Sequence, residues 1–433
     1  MRAARCVQRS VLVVLATGLN TPGLCAQAGN PNPMDSIRKL ATYRPAFDTV
    51  TLLSAARIAK LAPPVRREWN AYLQRSRAVH ALDTAAMGRE LRAVGRTAMI
   101  RAPYTHDFSV KPTMTPAWFA TDSARRLADV ILSFQAPNGG WSKHVDFTKH
   151  SRAPGESYFG EDSAWTWIST IDNDATTEEI HFLARANAAR RDARYEVAIG
   201  RAIDYLLASQ YPNGCFPQIY PVEGSYHDAA TFNDGATTNV LRAFREVVTG
   251  AYAYATLKQR QAATTALATG TSCILDAQIA VHGTLTAWGQ QHDPLTLAPT
   301  SARSYELTSI TALESALLLE YLMSDPSPSD RMIRAVYAGT DWLNAVPLHD
   351  LRYAGYQLKK EAGAPPLWGR LYEIGSNRVI MANRDGVKLY DWDKLTDRRA
   401  GYGWYTTRPA ETLTMFNHWS RSHPRPAASP AVR

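Results

Sequence analysis

The feature that most constrains the fold is a phrase that recurs along the chain. It combines Gln with Pro-Asn-Gly and an aromatic residue at 135–141 and again at 210–216, and a looser version runs from Gln278 to Trp288. The copies lie roughly 70 residues apart, a spacing typical of a repeated structural unit. Proline cannot continue a helix, and Gly or Asn accepts a positive φ. Each phrase therefore predicts the end of a helix followed by a turn.

A second phrase predicts where the partner helices begin. The sequence TIDNDATT at 170–177 aligns with TFNDGATT at 231–238, with four identities in eight positions, and 306–309 opens a third helix. Thr176 and Glu179 have the spacing of a capping box. The segments that follow carry apolar residues on one face at helical spacing.

Paired antiparallel helices in repeated units predict an all-α chain, an (α/α) toroid with long irregular loops that gather around one cleft. Strand signals are few, and the best are 379–381 and 387–390 around a turn at Asp385-Gly386. Residues 29–105 are predicted as a small helical N-terminal domain of unknown role, with Trp69, Tyr72 and Leu73 on one helix face. Residues 106–420 form the main domain, and 421–433 have the composition of a disordered tail.

The first 28 residues have the organisation of a secretory signal peptide: three Arg, an apolar run at 11–19, and a small-x-small site at 26–28. A run of nine residues cannot cross a bilayer core about 30 Å thick. We therefore expect a secreted or periplasmic protein. Removal of this segment leaves only Cys215 and Cys273, which form either one disulfide or two buried thiols.

The net charge of the chain indicates which classes of binding partner it favours. The formal net charge of +9 loses three Arg and no acid with the signal segment, which leaves +6. A basic protein favours acidic partners. Export, the lack of Lys-rich runs and the scatter of charge argue against nucleic acid, and no other stretch is apolar enough to span a membrane. An acidic polysaccharide fits these observations, and no protein partner is implied.

Oxygen-bearing side chains cluster before the predicted helix starts, in the two aligned phrases: Asp172, Asn173, Asp174, Asn233 and Asp234. Hard cations such as calcium take carboxylate and amide oxygens from flexible loops, so two such loops brought together could hold one ion. The alternative is that these residues only cap helices. An EF-hand loop, a zinc spacing and a Cys/His cluster are all missing from the sequence.

Arginines among aromatic residues form a second constellation: Arg303, Arg370, Arg378, Arg384, Arg398 and Arg399, close to Trp368, Tyr372, Tyr390, Trp392, Tyr402, Trp404 and Tyr405. Guanidinium groups pair bidentately with carboxylates, and aromatic faces stack on sugar rings or on Arg. A solvated basic face is the alternative. These arginines lie singly among Gly, Asn and aromatic residues, without an amphipathic pattern.

Taken together, these phrases resemble the family 10 polysaccharide lyases, pectate lyases with an (α/α) toroid fold. The matching stretches are 135–143, 170–177, 216–218 with 226–227, 231–238, 303–306, 367–374, 383–386 and 399–405, in the family's order. One phrase departs from the pattern: where the family is expected to have Trp-Pro-Lys-Asn, this chain has Trp141-Ser142-Lys143-His144.

The resemblance implies a calcium-dependent pectate lyase whose catalytic domain is 106–420 and which cleaves α-1,4-linked polygalacturonate by β-elimination. By position, Arg384 matches the catalytic base. Asp172, Asn173 and Asp234 match the region that binds Ca²⁺ and a substrate carboxylate. Substrate binding falls to Arg303, Arg370 and Arg399, with Lys143 as a further candidate in the departing phrase.

Three other functions remain open at this point. An exported glycoside hydrolase would use paired carboxylates such as Glu161 and Asp234. A non-catalytic pectin-binding protein would need only arginine and aromatic contacts. A cyclase-type toroid also carries glutamine–tryptophan repeats, but its cation cavity excludes arginines. Among these functions, only elimination leaves a 4,5-double bond in the product, and this bond absorbs at about 235 nm.

Overall fold

The computed structural model describes residues 52–106, 108, 111, 113–160 and 169–426. The predicted signal peptide, Glu161 and residues 427–433 of the predicted tail lie outside the described residues. All described residues belong to one unit, Tyr43–Arg433. No helix in this part of the chain is long and apolar enough to cross a membrane.

Helices carry the fold, and the strands are only two to four residues long. The α-helices of the described residues are α1 Ala55–Ala59, α2 Pro63–Ala93, α3 Pro116–Phe119, α4 Asp122–Ser133, α5 Thr177–Ala189, α6 Ala193–Ser209, α7 Ala236–Thr249, α8 Leu257–Asp276, α9 Ala312–Met323, α10 Asp330–Ala345 and α11 Arg408–Trp419. The strands are β1 Ala230–Thr231, β2 Ala280–Val281, β3 Thr284–Leu285, β4 Gln291–His292, β5 Pro299–Thr300, β6 Ile310–Thr311, β7 Leu351–Ala354, β8 Gln357–Lys360, β9 Trp368–Gly369, β10 Leu371–Tyr372, β11 Met381–Ala382, β12 Lys388–Leu389 and β13 Tyr405–Thr406.

The strands pair antiparallel in short ladders, β1–β4–β5, β2–β3, β6–β10, β7–β8, β9–β13 and β11–β12. The hairpin predicted around Asp385-Gly386 forms as β11–β12, with Met381 opposite Leu389. Its strands are shorter than the sequence pattern predicts. The fold class is therefore all-α, the (α/α) toroid class that the repeat predicts.

The repeated Gln has the same role in all three copies. The Nε2 atom of Gln135 donates to the carbonyl oxygens of Gly139 and Ala198, both at 2.8 Å. Gln210 does the same to Gly214 and Ala266, and Gln278 to Thr286 and Ala335. Each Gln therefore joins its own turn to a later helix, and this contact is the physical unit of the repeat.

The glycines of the first two copies are required by close backbone packing. Gly139 and Gly214 both have positive φ, +100° and +88°. A Cβ added at Gly139 would lie 2.6 Å from the carbonyl oxygen of Arg201, and one at Gly214 would lie 2.2 Å from that of Thr269. Any side chain at these positions would push the turn away from the helix it contacts.

Three helix pairs, α5–α6, α7–α8 and α9–α10, pack around the core, and short connections make each pair antiparallel. Helix α9 is buried on nearly all sides because α7, α10, α11 and the 233–235 turn pack against it. Helices α5 and α7 begin within the last residues of the aligned phrases, at Thr177 and Ala236. The polar turns therefore meet at one end of the inner helices, and this position brings the candidate site together.

The described part of the predicted N-terminal domain shares this core. Trp69 and Tyr72 of α2 are buried against the ring of Tyr211, with centroids 5.0 Å away in both cases. The Tyr72 hydroxyl donates to the Ser209 carbonyl oxygen at 3.0 Å. The helix face predicted from the sequence is thus buried against the repeat.

Two further predictions concern the disulfide and the tail. Cys215 and Cys273 form a disulfide that joins the second Pro-Asn-Gly turn to α8, which decides between the two alternatives left by the sequence. In the described part of the predicted tail, Arg425 forms an ion pair with Asp341 at 2.7 Å and His423 stacks on Trp419. His423 and Arg425 therefore contact the helical body.

Candidate active site

The two aligned phrases form adjacent turns, 172–174 and 233–235. Asn233 Nδ2 donates to Asp172 Oδ1 at 3.1 Å and to Asp234 Oδ2 at 3.0 Å, which joins the turns directly. Asn173 and Asp234 occupy the same repeat position and share the left-handed backbone conformation, with φ of +49° and +48°. Asn and Asp adopt this conformation more readily than other non-glycine residues. The sequence repeat is thus a repeat of backbone geometry.

The capping box predicted from Thr176 and Glu179 is wrong, because the Thr176 side chain does not cap α5. Its hydroxyl donates to the carbonyl oxygen of Thr170 at 2.9 Å and accepts from the N–H of Trp141 at 3.0 Å. In the second copy, Thr237 donates to the carbonyl oxygen of Thr231 at 2.6 Å. These threonines close the turns and leave the side-chain oxygens of Asp172 and Asn173 for the site.

Lys143 lies against the first turn. Its Nζ atom donates to Asp172 Oδ2 at 2.7 Å and to Asn173 Oδ1 at 3.4 Å. Burial alone would raise the pKa of Asp172, but the charge and hydrogen bond of Lys143 outweigh burial and hold that pKa at about 2. Lys143 therefore favours the anionic form of Asp172. A positive charge already lies between two of the predicted cation ligands.

Arg370 serves the second turn. Its Nη2 atom donates to Asp234 Oδ1 at 2.8 Å, to Glu314 Oε1 at 2.7 Å and to Asn233 Oδ1 at 3.2 Å. Glu314 is fully buried, and burial raises its pKa while the charge of Arg370 opposes that shift. Arg370 thus holds Asp234 in place from inside the protein, with Glu314 behind it.

Two tyrosines of the site, Tyr305 and Tyr402, contact arginine side chains. Tyr305 and Tyr402 pack edge to face, with centroids 5.3 Å apart. The guanidinium of Arg303 lies 5.0 Å from the Tyr305 ring centroid, and that of Arg398 lies 4.1 Å from it. Burial raises the pKa of Tyr305, and the charges of Arg303, Arg398 and Arg384 lower it. Arg303 and Arg398 therefore flank the Tyr305 ring, Arg384 acts on it through its charge, and Arg370 lies 4.8 Å from the Tyr402 ring.

Arg303 and Arg384 reach this group from different loops. Arg303 pairs bidentately with Glu306, through Nε to Oε2 and Nη2 to Oε1, both at 2.6 Å. Arg384 lies in the exposed turn of the β11–β12 hairpin, where its main-chain N–H donates to Asp397 Oδ1 at 3.2 Å. The hairpin therefore places the predicted base at the solvent side of the arginine cluster.

The structure places Arg399 outside this cluster. Its guanidinium donates to the main-chain carbonyl oxygens of Leu395 at 2.8 Å and of Trp392 and Asp393 at 3.0 Å. Its neighbour Arg398 donates to one carbonyl oxygen, that of Gly401, and its buried Nε has no hydrogen-bond partner among the described residues. Arg399 thus holds its own loop together, and of these two neighbours it is Arg398 that lies beside Tyr305.

Several polar residues of the site were not singled out from the sequence. Glu306 and Gln290 contact each other at 3.3 Å, and Gln290 also donates to Asn233. Glu314 had a detectable signal, because it is the one charged residue in the segment 312–319, which otherwise holds Ser315 and apolar residues. A charge in a helix that is buried all round needs a partner, and Arg370 is that partner.

The donor set suits a hard cation. Asp172, Asn173 and Asp234 provide carboxylate and amide oxygens, and Lys143 already contacts two of these residues as a cation. The described residues contain no group of three or more His, Cys, Asp or Glu arranged to hold a metal ion. A cation here would therefore complete its shell with oxygens from outside the protein.

Comparisons with known proteins give the family. The model of the pectic acid lyase family matches residues 135–413, which include every predicted site residue. A family 10 polysaccharide lyase from Cellvibrio cellulosa superposes with a TM-score of 0.63 at 32% identity, covering 72% of this chain and 98% of its own. A mutant of that lyase solved in complex with trigalacturonic acid gives the same TM-score and identity. No curated protein matches the chain. By the family model and by this structural likeness, the chain belongs to the pectic acid lyases, the family 10 polysaccharide lyases.

Proposed function

We propose that this lyase acts on polygalacturonate, that it requires calcium, and that it cleaves the α-1,4 linkage by β-elimination to give 4,5-unsaturated oligogalacturonates. The observation that carries the proposal is the meeting of an oxygen-ligand set with three arginines, Arg303, Arg370 and Arg398, at one end of the inner helices. A polyuronate offers one carboxylate per sugar, so it can engage both groups at once. The trigalacturonic acid bound by the Cellvibrio relative supports the same substrate class.

Elimination requires an acidic C5 proton, which the neighbouring carboxylate makes available when its developing negative charge is stabilised. A calcium ion held by Asp172, Asn173 and Asp234 would supply that stabilisation as a Lewis acid. Lys143 would then shift from Asp172 toward the substrate, and its ammonium adds to the positive field. Arg303 and Arg398 orient the uronate through bidentate contacts on the side of Tyr305.

Arg384 is the proposed base that removes the C5 proton. The electron pair then forms the C4–C5 double bond as the C4–O4 bond breaks, and the departing oxygen takes a proton from solvent, so no water is added across the cleaved bond. A guanidinium holds its proton strongly in water. Arg303 and Arg398 flank the Tyr305 ring, and the charge of Arg384 acts on the same ring. The exposed hairpin turn leaves Arg384 accessible to a polymer chain that lies across the site.

We also propose that the enzyme is exported. The Cys215–Cys273 disulfide supports this, because such bonds persist in oxidising compartments. A polymeric substrate supports it as well, since pectate is met outside the cytoplasm.

The test is a progress curve at about 235 nm on polygalacturonate, where the conjugated product of elimination absorbs and a hydrolysis product does not. Absorbance should rise in the presence of calcium. The rise should stop when chelator is added and resume when calcium is restored. Asp234→Asn should raise the calcium concentration needed for half-maximal rate, while Asp341→Asn, at an exposed ion pair, should leave it unchanged. Full activity in excess chelator would exclude the calcium assignment, and reducing ends without absorbance would exclude elimination.

A further inference from the structure

We propose that the solvent face of helix α2 is a second binding surface for polygalacturonate, separate from the active site, which holds the polymer by its free carboxylates. This inference rests on the proposed function, because it takes the same polymer as ligand. The surface, called the α2 arginine face below, consists of five exposed arginines of this helix: Arg67, Arg75, Arg77, Arg89 and Arg92.

The positive charge of the chain is concentrated in this part of the molecule. Residues 55–101 hold ten basic and three acidic side chains, a formal charge of +7. The chain without the predicted signal peptide has a formal charge of +6, so all its other residues together sum to −1. The family model begins at residue 135, and the basic segment therefore lies outside the matched region. Its charge is a property of this chain that catalysis by the matched domain does not account for.

The helical period brings these arginines to one side of α2. Trp69, Ser76 and Met87 define the buried side of the helix. At about 100° per residue, all five arginines fall on the half of the helix opposite to it. Arg67 and Arg92 are 25 residues apart, so the face is roughly 37 Å long at a rise of about 1.5 Å per residue. A linear polymer with one carboxylate per sugar can contact several of these arginines at once.

The arginines of this face are not neutralised by the protein. None of the five forms an ion pair with any residue that the structure describes. Exposed arginines of the helical repeats behave differently, since acids of the protein already pair with them, as in Arg331–Asp276 and Arg352–Glu361. The α2 arginine face therefore presents uncompensated positive charge, which attracts a polyanion.

The acids nearest in sequence do not change this balance. In α2 itself, Asp83 is buried and Glu90 pairs with Arg152 at 2.6 Å. Glu68 is the remaining acid of the helix, and it is exposed. Residues 29–51 lie outside the described residues and contain three basic and two acidic side chains, so their charge does not complement the arginines.

Helix α2 packs at the end of the helical repeats that carries the active site. The hydroxyl of Tyr72, on its buried side, donates to the carbonyl oxygen of Ser209 at the C-terminal end of α6. Because α5 and α6 are antiparallel, this end of α6 lies beside the start of α5, which follows the turn with Asp172. A polymer bound along α2 is thus held close to the proposed cation ligands, and this raises the local concentration of substrate there.

The chemistry of the face favours a polycarboxylate over a membrane or a second copy of the chain. All six basic residues of α2 are arginines, and a guanidinium pairs bidentately with a carboxylate. A basic helix that binds lipid inserts its apolar side into the membrane, but Trp69, Tyr72 and Met87 of that side are buried in the protein. A second copy would present the same positive charge and repel the first.

The experiment measures binding without turnover. Polygalacturonate is immobilised on beads, chelator is present to prevent cleavage, and dissociation constants are determined at low salt for the full-length wild type and two variants. The test variant replaces the five arginines of the α2 arginine face with glutamine, which is a good helix former. The matched control loses five exposed positive charges elsewhere, so its net charge is the same: Arg190→Gln, Arg191→Gln, Arg331→Gln, Arg352→Gln and Arg425→Gln.

The test variant should bind the polymer at least about tenfold more weakly than wild type, because five individually weak contacts act together. The control should stay within about twofold of wild type. The difference between wild type and test variant should disappear near 1 M salt, where the Debye length falls to about 3 Å. Wild type should also prefer the polymer over trigalacturonate, and this preference should shrink in the test variant.

Equal affinity of the test variant and the control for the polymer would overturn the inference. Vesicles of equal parts phosphatidylcholine and phosphatidylglycerol test the membrane alternative. If the test variant loses vesicle binding and keeps its affinity for polygalacturonate, the face binds lipid instead. Since no turnover is needed, a protein without lyase activity can still pass this test, and an active lyase can fail it.

A lowered Tm of the test variant would transfer the decision to two smaller variants. One combines Arg67→Gln with Arg75→Gln, and the other combines Arg89→Gln with Arg92→Gln. Each should weaken polymer binding by about two- to threefold at the Tm of wild type. Wild-type affinity in both would refute the proposal.

Discussion

Exchanging two adjacent arginines for lysine should have opposite consequences. Arg399 donates three hydrogen bonds to main-chain carbonyl oxygens, and lysine cannot reproduce this planar fork. A hydrogen bond from a charged donor contributes about 1.5–3 kcal/mol when buried. Because Arg399 is only half-buried and lysine keeps part of the contact, we expect Arg399→Lys to cost about 2 kcal/mol in total. In a protein of this size that lowers Tm by roughly 2–4 °C.

Arg398→Lys should leave stability nearly intact. The residue donates one hydrogen bond, to Gly401, and its stacking on Tyr305 contributes about 0.5–1 kcal/mol at a half-exposed position. Its expected effect is on catalysis, because lysine replaces a bidentate contact to a uronate carboxylate with a single point charge. A loss of about 1.4–2 kcal/mol in the transition state lowers kcat/KM roughly 10- to 30-fold.

Initial rates at about 235 nm on polygalacturonate give kcat/KM, and thermal unfolding gives Tm for the same preparations. The informative result is a crossed pattern. Arg398→Lys should lower kcat/KM and keep a normal Tm, whereas Arg399→Lys should lower Tm and keep nearly normal kcat/KM. The reverse pattern would refute the structural assignment and restore Arg399 as the substrate-binding residue matched from the sequence.

Arg384→Lys should lower kcat by at least about 100-fold with little change in affinity for oligogalacturonate, as expected for loss of a general base; near-normal kcat with weakened binding would move the base to Lys143. Glu314→Gln leaves the charge of Arg370 buried with one carboxylate fewer, so we expect a loss of about 1–3 kcal/mol on denaturant unfolding and a higher calcium requirement; an unchanged requirement would contradict its role in holding Asp234. Burial lowers the pKa of His181, but hydrogen bonds to Glu178 and Glu246 raise it to about 9. A raised folded-state pKa stabilises fully below about 6.5, the unfolded value, and this contribution is lost as pH rises to 9. The Tm of the wild type should fall across that pH window, and the Tm of His181→Gln should fall less. Parallel plots of Tm against pH for the two proteins would exclude a stabilising role of the His181 contacts with Glu178 and Glu246.

The sequence alone determined the features that depend on local chemistry. Proline, glycine and asparagine act on their own stretch of backbone. The Pro-Asn-Gly phrases therefore correctly predict the C-terminal end of α6 and the turn before Trp141. The aligned phrases predict two equivalent turns for the same reason. Repetition of these local signals is sufficient to predict the fold class, because each unit can bury its apolar face only against its neighbours.

Contacts between distant segments were decided only by the tertiary structure. The Thr176 hydroxyl has the right spacing to cap its helix, yet Trp141 and Thr170 provide partners that the local pattern does not contain. Glu314 and Arg370 are 56 residues apart in sequence, and their pairing depends on where β10 and α9 meet. Such pairs cannot be read from spacing, because burial and partner are properties of the assembled core.

Arg398 and Arg399 show that sequence analysis has the same limit even for two adjacent residues. Both are arginines in the same aromatic-rich segment, and a sequence motif cannot distinguish which of two neighbours faces the site. The path of the 392–399 loop makes the distinction, because it folds back so that its own carbonyl oxygens surround Arg399 and leave Arg398 against Tyr305. The residue types of this segment can thus be read from the sequence, while packing of the loop decides which of the two arginines lies beside Tyr305.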